Sequence, residues 1–394
     1  MTRPALPGHL SHYLLPLLGL VALGCDGGGT PLSNDLDDPR TAAVVLDSTM
    51  QAFVAGHDIG AAVVGVMKDG VVVHRRGYGT LDAEGTQPLA DDAMMRLASV
   101  TKPVTAALIW ELAADGLLSL TDRAFDLGQP GGGILDLAPF PTLGDTRLAD
   151  ITVLDLLRHR GGWDRDLVGD LTYREVQIAE AMGVASPPGR ENTVRYILGQ
   201  PLEFAPGSRE AYSNIGYLVL GLIAEEVSGE DYLTVLRREV LDPLGVPAAD
   251  LIQGRTFPEH RSPREPWYDS DDLVTSVFNP AGPLVRRPAG GWDHEARIGQ
   301  GGLVATTDAI LELLEVYTVS GDDIGSRRTG TEGSSWRRNH TGSLPGTNAL
   351  ARQRGDGINY VVLFNRRPAS GTSYASLIRT ELDALLDGGT LIWP

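Results

Sequence analysis

Residues Val104 to Ala113 are apolar on nearly every face of a helix, and a helix without a polar face has to be surrounded by other chain. The length of 394 residues, 42% of them hydrophobic, is enough to do so in one large domain or two closely joined ones. Ahead of this buried helix stands Ser99-Val100-Thr101-Lys102, which sets one of only two lysines in the chain three residues after a serine. A short strand around Met94 to Leu97 leads into Ser99, and Pro103 is tolerated because it falls in the first turn. The sequence therefore puts Ser99 at the start of a buried helix.

The rest of the pattern suggests where that helix lies. Asp38-Pro39 looks like an N-cap with proline at the first helical position, opening a helix through Ala42, Leu46, Thr49 or Met50, and Phe53 to Gly56. Ala61 to Met67 and Val71 to His74 are β-branched apolar runs joined by Lys68-Asp69-Gly70, a hairpin signal. A helical pattern predominates from Leu120 to Leu244, and 253–299 is irregular and rich in proline, charge and aromatics. Trp336 to His340, Asn348 to Gln353 and Ile358 to Phe364 read as strands, and Thr372 to Leu386 as a final amphipathic helix. Strands at both ends with helices between them indicate an α/β (α+β) fold: an antiparallel sheet built from both chain ends, flanked by helices, with an inserted mainly helical domain. The expected division is a sheet part of about 39–100 and 300–388 and a helical insert of about 105–298.

Two side chains three residues apart on a helix share a face, about 5 to 6 Å apart, so the Lys102 amine can reach the Ser99 hydroxyl. Serine is a weak nucleophile without a base, and a lysine buried deeply enough to lose its proton is one. The plainer alternative, a capping serine beside a solvated lysine, fits poorly with so apolar a helix. Tyr212, in a loop before the clear helix of Leu218 to Glu225, is a second candidate to take the serine proton and return it to a leaving group.

Ser99-x-x-Lys102, then Tyr212-Ser213-Asn214, then His340-Thr341-Gly342 resemble, in order and spacing, the three motifs of the serine β-lactamase and penicillin-binding protein superfamily. The branch they resemble contains class C β-lactamases, DD-peptidases and related esterases. Asp69-Gly70, Gly77-Tyr78-Gly79, Leu156 to His159 with Gly162, Phe204 to Gly207 and Gly301-Gly302-Leu303 look like further landmarks, so the likeness extends over about 40–388. It implies a β-lactamase/transpeptidase-like fold and acyl transfer through Ser99, with Lys102 or Tyr212 as base. Asn214 would orient the lysine and bind a substrate carbonyl, and the amides of Ser99 and Ser343 would form the oxyanion hole. His340, Thr341, Gly342 and Ser343 would line the substrate. Two departures matter: His159 to Trp163 replaces the usual His-Thr-Ser-Gly, and His340 stands where lactamases mostly carry lysine. A partly charged histidine is a weaker carboxylate anchor, so peptidase or esterase activity is expected ahead of β-lactamase activity, with a non-catalytic cell-wall-binding lipoprotein as the alternative of another class.

The start of the chain reads as an export signal: Arg3, then an apolar run from Leu14 to Leu23, too short to span a bilayer. Ala22-Leu23-Gly24-Cys25 resembles a lipobox, which implies a signal peptide of 1–24, lipid attachment at Cys25 and membrane anchoring in a bacterial envelope; an ordinary secretory signal is the other reading. Residues 25–38 read as a flexible tether of about 20 Å mean span. Cys25 is the only cysteine, which excludes an intramolecular disulfide or a cysteine metal cluster. The net charge of −18 comes without any block of basic residues, so nucleic acid is not an expected partner. There is no Gly-x-Ser-x-Gly elbow, no His-Glu-x-x-His pair, and no phosphate-binding or dinucleotide fingerprint. Nothing requires a cofactor or metal, and the expected substrate is a small molecule or peptide: a peptidoglycan-like peptide, a β-lactam or an ester.

Overall fold

Alternation along β1 (Ala61–Lys68) shows how the layers are made. Ala61, Val63 and Met67 enter one core while Ala62, Val64 and Val66 enter another, so both faces are covered and the strand is a continuous apolar run. β1 forms the expected hairpin with β2 (Val71–Gly79), and Asp69 and Gly70 turn it with positive φ. The computed structural model describes residues 40–394; the signal segment 1–24, the tether 25–38 and Cys25 lie outside the described residues.

In chain order, α1 (Ala42–Gly56) precedes β1 and β2, and β3 (Met95–Arg96) precedes α2 (Thr101–Ala114). The middle carries α3 (Val153–Leu157), α4 (Arg165–Val168), α5 (Glu175–Met182), α6 (Gly189–Leu198), α7 (Asn214–Ser228) and α8 (Tyr232–Leu236). Short strands β4 (Leu251–Gln253), β5 (Leu273–Val274), β6 (Val285–Arg286) and β7 (Leu303–Ala305) follow, then α9 (Thr307–Val316). β8 (Arg337–Leu344), β9 (Thr347–Arg354), β10 (Ile358–Phe364) and α10 (Tyr374–Asp387) complete the chain. The main sheet runs β2-β1-β10-β9-β8, antiparallel throughout. It is assembled from both ends of the chain, as the sequence pattern indicates.

α1 and α10 cover one face through Leu46, Met50, Phe53, Ile378 and Leu382. α9 packs on the other: a Cβ on Gly65 of β1 would lie 2.7 Å from Thr307. Beyond it sits α2, with eleven of its 14 residues buried, which leaves it no solvent face. α7, buried from Asn214 through Ala224, lies against it. These two central helices carry Lys102 and Asn214.

Several expectations are corrected. β3 does not join the main sheet; it pairs with β7, which also holds β4, in a separate three-stranded sheet. Helix α1 begins at Ala42, with Thr41 and not Asp38 before it. Residues 120–145 are largely turns and isolated bridges such as Phe125 with Leu135, because their prolines and glycines outweigh the helical spacing. The domain does not stop at 388: Ile392 exchanges backbone hydrogen bonds with Arg40 and Ala42, closing the chain end against its beginning. Residues 40–394 belong to one compact unit. The irregular 253–299 segment is ordered by a buried cation: Arg96 of β3 donates to the carbonyls of Arg255 (2.8 Å) and Pro288 (3.1 Å) and stacks on Tyr268. No helix among the described residues is long and apolar enough to cross a membrane.

Candidate active site

Ser99 lies in a 3-10 turn, Ala98–Val100, that joins β3 to α2. It is one turn earlier than the first α-helical hydrogen bonds, a refinement of the expected helix start. Ala98 has φ +47°, in the left-handed region that a residue with a Cβ seldom occupies. The turn is held from both sides: Leu97 N–H donates to the Leu303 carbonyl at 2.9 Å, and Leu303 N–H donates to Thr101 Oγ1 at 3.3 Å. The strained residue thus sits next to the serine whose hydroxyl it aims.

Lys102 is fully buried. Its Nζ donates to Asn214 Oδ1 and to the Gln300 carbonyl, each at 2.7 Å, and lies 3.3 Å from Ser99 Oγ. Burial pushes its pKa down, opposed by its interactions with Tyr212 and Asp170. Two short contacts to acceptors and a longer one to the Ser99 hydroxyl fix the amine in place beside the nucleophile. Tyr212 Oη donates to Ser99 Oγ at 2.8 Å, so the serine oxygen is held between the phenol and the amine. Lys102 Nζ is 5.0 Å from the centre of the Tyr212 ring, and the Arg165 guanidinium is 4.3 Å from it. Asn214 is the first residue of α7 and not a loop residue; its Nδ2 donates to Asp170 Oδ2 at 2.5 Å. Asp170 is fixed in turn by the Thr172 N–H and hydroxyl. Asp170, Asn214, Lys102 and Ser99 form a continuous hydrogen-bonded chain.

The opposite wall is β8, the edge strand of the main sheet. Gly342 passes so close to the Ser99 turn that a Cβ there would lie 2.2 Å from the Leu97 carbonyl and 3.1 Å from Ser99 N. Only glycine lets the strand, and with it the Ser343 amide, come this near. Asn348 secures the approach by donating to the Gly342 carbonyl at 2.7 Å. His340, Thr341 and Gly342 lie in mid-strand, not at a strand end, because β8 runs on to Leu344 before turning. The expectation of a partly charged His340 is corrected: its ring nitrogen Nδ1 is 2.9 Å from the Val319 carbonyl, which takes a proton donor there. Burial and the adjacent Lys102 push its pKa down to about 4. His340 is a neutral side chain at neutral pH.

A cleft of about 560 Å³ opens between these walls, lined by Ser99, Tyr212, His159, His340, Thr341 and Ser343 among others. A second arm of about 270 Å³ leads away from Ser99 past Asn214 and Ser343. Ser99, Lys102, Tyr212, Asn214, His340, Thr341, Gly342 and Ser343 are therefore brought to one place, as their motifs imply. The sequence reading missed Asp170, Arg165, the Gln300 carbonyl and the role of His159. His159 accepts from Ser213 N–H at 3.2 Å and packs between Tyr212 and Tyr217; burial and Lys102 lower its pKa to about 3. Asp170 has a local signal as a cap before Thr172, but nothing local points to Asn214, 44 residues away. Among the described residues, no group of three or more histidine, cysteine, aspartate and glutamate side chains could hold a metal ion.

A beta-lactamase family model matches residues 46–372. The chain belongs to the beta-lactamase family. It is 28% identical over 287 residues to the esterase EstB of Burkholderia gladioli, spanning 71% of this chain and 70% of EstB. It is 27% identical over 213 residues to the D-alanyl-D-alanine-carboxypeptidase/endopeptidase AmpH of Escherichia coli, covering 54% of this chain and 50% of AmpH. Among solved structures, the octameric penicillin-binding protein homologue from Pyrococcus abyssi superposes with a TM-score of 0.61 at 23% identity, over 88% of this chain and 78% of that one. The D-amino acid amidase of Ochrobactrum anthropi SV3 does so with a TM-score of 0.62 at 19% identity, over 87% and 98%. These likenesses show a shared fold. As a member of this family the chain is an enzyme, a serine hydrolase.

Proposed function

We propose that this hydrolase works in the bacterial cell envelope and cleaves carboxylic esters through an acyl-enzyme on Ser99. The supporting observation is the Ser99 oxygen held 2.8 Å from Tyr212 Oη and 3.3 Å from a buried amine. Ser99 Oγ bonds to the substrate carbonyl carbon while Lys102 and Tyr212 together take the hydroxyl proton. The negative oxygen that develops faces the Ser99 and Ser343 amides. The carbon–oxygen bond to the alcohol breaks, and the proton held by the pair passes to the departing oxygen. Water then adds to the acyl carbon, its proton returns Ser99 to the hydroxyl form, and the carboxylic acid leaves.

His340 favours ester over β-lactam: as a neutral group it offers no charge to the carboxylate that lactams carry. A second reading, DD-carboxypeptidase-like cleavage of a peptide, is favoured by the free edge of β8 along the cleft, which can pair with an extended peptide. Envelope placement is supported by Arg3, the apolar run and the lipobox-like Ala22-Leu23-Gly24-Cys25; palmitate labelling lost in Cys25→Ala tests the lipid anchor.

The central test is intact-mass measurement of the full chain after exposure to a fluorophosphonate and, separately, to a penicillin, with Ser99→Ala as control. One fluorophosphonate adduct per chain, absent in the variant, is expected. A penicillin adduct that turns over rapidly would favour β-lactamase activity. No adduct on folded protein would sink the hydrolase reading and favour a binding lipoprotein.

A further inference from the structure

The arginines of the second arm are weakly paired. Arg354, for comparison, is engaged by Asp356, Asp383 and Asp387. Arg367 lines the arm, and no hydrogen bond or ion pair joins it to another of the described residues. Arg287, also in the arm, has one partner, Asp272 at 3.4 Å, with both side chains about half exposed, an arrangement that contributes little. Arg165, at the arm's mouth, lies over the Tyr212 ring, and the carboxylate it reaches is Asp166 at 4.0 Å, itself 93% exposed. The arm's own carboxylate, Asp170, is held by Asn214 and Thr172 and forms no ion pair with these arginines. Arg367 is attracted by Asp272 and repelled by Arg287, so the two guanidinium groups share one carboxylate. Three guanidinium groups against the two carboxylates Asp170 and Asp272 leave this concave, polar recess with a net positive charge, and such a field attracts an anion.

Which half of the substrate enters the arm follows from the proton path. The leaving group must be protonated, so it departs on the side of Tyr212, which lines the large cleft and not the second arm. The second arm, lined by Asn214 and Ser343, holds what stays attached to Ser99. We propose that this arm is an acyl-side anion subsite, with Arg367 and Arg287 as its anchors, selecting esters or amides whose acyl chain ends in a carboxylate. The inference rests on the acyl-enzyme reading given above. A recess of about 270 Å³ accommodates a short dicarboxylic chain, with one carboxyl acylating Ser99 and the other on the guanidinium pair, where the planar fork of arginine suits it.

The test uses the full chain and two esters that differ only in the acyl terminus: mono-p-nitrophenyl adipate and p-nitrophenyl hexanoate, each corrected for the Ser99→Ala rate. A kcat/KM preference of about tenfold for the adipate is expected, the scale of one charge-assisted hydrogen bond in a partly solvated site. It should fall towards one in the Arg287→Gln/Arg367→Gln double variant, and at about 1 M salt, where the Debye length is about 3 Å. Arg367→Glu should invert the ratio in favour of p-nitrophenyl 6-aminohexanoate. Equal rates for both esters in the unaltered enzyme, with a Ser99 fluorophosphonate adduct still formed, overturn the subsite and leave the hydrolase reading intact. A preference that survives the double variant also overturns it. No turnover and no adduct overturn both.

Discussion

The floor and the rim of the cleft treat charge in opposite ways. On the floor the side chains that reach the nucleophile are held in a chain: Lys102 by Asn214 and Gln300, Asn214 by Asp170, Asp170 by Thr172. On the rim, Arg165 and Arg367 hold guanidinium groups in the cleft with no carboxylate closer than 4.0 Å among the described residues, Arg165 lying over the Tyr212 ring. A buried, fully bonded network fixes geometry and pKa before a substrate arrives, whereas an unpaired, solvated charge costs little until an anion displaces its water. The floor is built for chemistry and the rim for recognition.

The strongest way to break this contrast is to remove the buried amine. Lys102→Met keeps the volume but deletes the amine, and the rate of Ser99 acylation by a fluorophosphonate should drop about thousandfold. The fold should hold, its melting temperature moving by only a few degrees, because an apolar side chain of similar volume suits a buried site. Acylation within threefold of the parent would show that Tyr212 alone suffices as base.

Next in size is an effect of acid on stability. His159 and His340 have pKa values of about 3 and about 4, below the usual histidine value near 6.5. Between these limits the unfolded chain binds protons that the folded one refuses, so stability is full above about pH 6.5 and falls as pH drops. Each histidine contributes up to about 1.4 kcal/mol per pH unit. Urea titrations should show a loss of about 5 kcal/mol from pH 6.5 to 4, the two histidines together, with a shallower slope in His159→Phe. An unchanged slope would mean that His159 is not held neutral in the fold.

Asp170→Asn sharpens the floor's internal order. It removes the carboxylate that fixes Asn214, and kcat should fall about tenfold with KM for a neutral ester little altered; a KM effect alone would move Asp170 to substrate binding. The smallest change is expected on the rim. Arg165→Gln removes a cation from the outer face of the Tyr212 ring and should alter kcat/KM for a neutral ester by no more than about threefold. A loss as large as that of Lys102→Met would erase the distinction between floor and rim.

The chemistry of the floor was legible wherever it is local. Ser99 and Lys102 share a helix face by spacing, and the all-apolar α2 announced that the lysine is buried. Glycine at 342 and the mixed origin of the main sheet also followed from motif and pattern. Other features were hidden because they depend on contacts distant in sequence. β3 reads like any short strand, and only its pairing with β7 removes it from the main sheet. Asp170 resembles an ordinary cap until α7 brings Asn214 to it. Arg367 lies just past a strand end, where an exposed arginine is unremarkable by sequence alone.

His340 marks the boundary most clearly. The sequence by itself determined that an imidazole, not an ammonium, stands on the strand beside the nucleophile, since residue identity and motif order are properties of the chain. Its charge was decided by the tertiary structure: the Val319 carbonyl holds Nδ1, and burial and Lys102 keep the ring neutral. The same holds for Lys102 and for the arginines of the second arm. A side chain's proton or counter-ion is set by desolvation and by neighbours within a few ångströms, and for these residues those neighbours come from far along the chain.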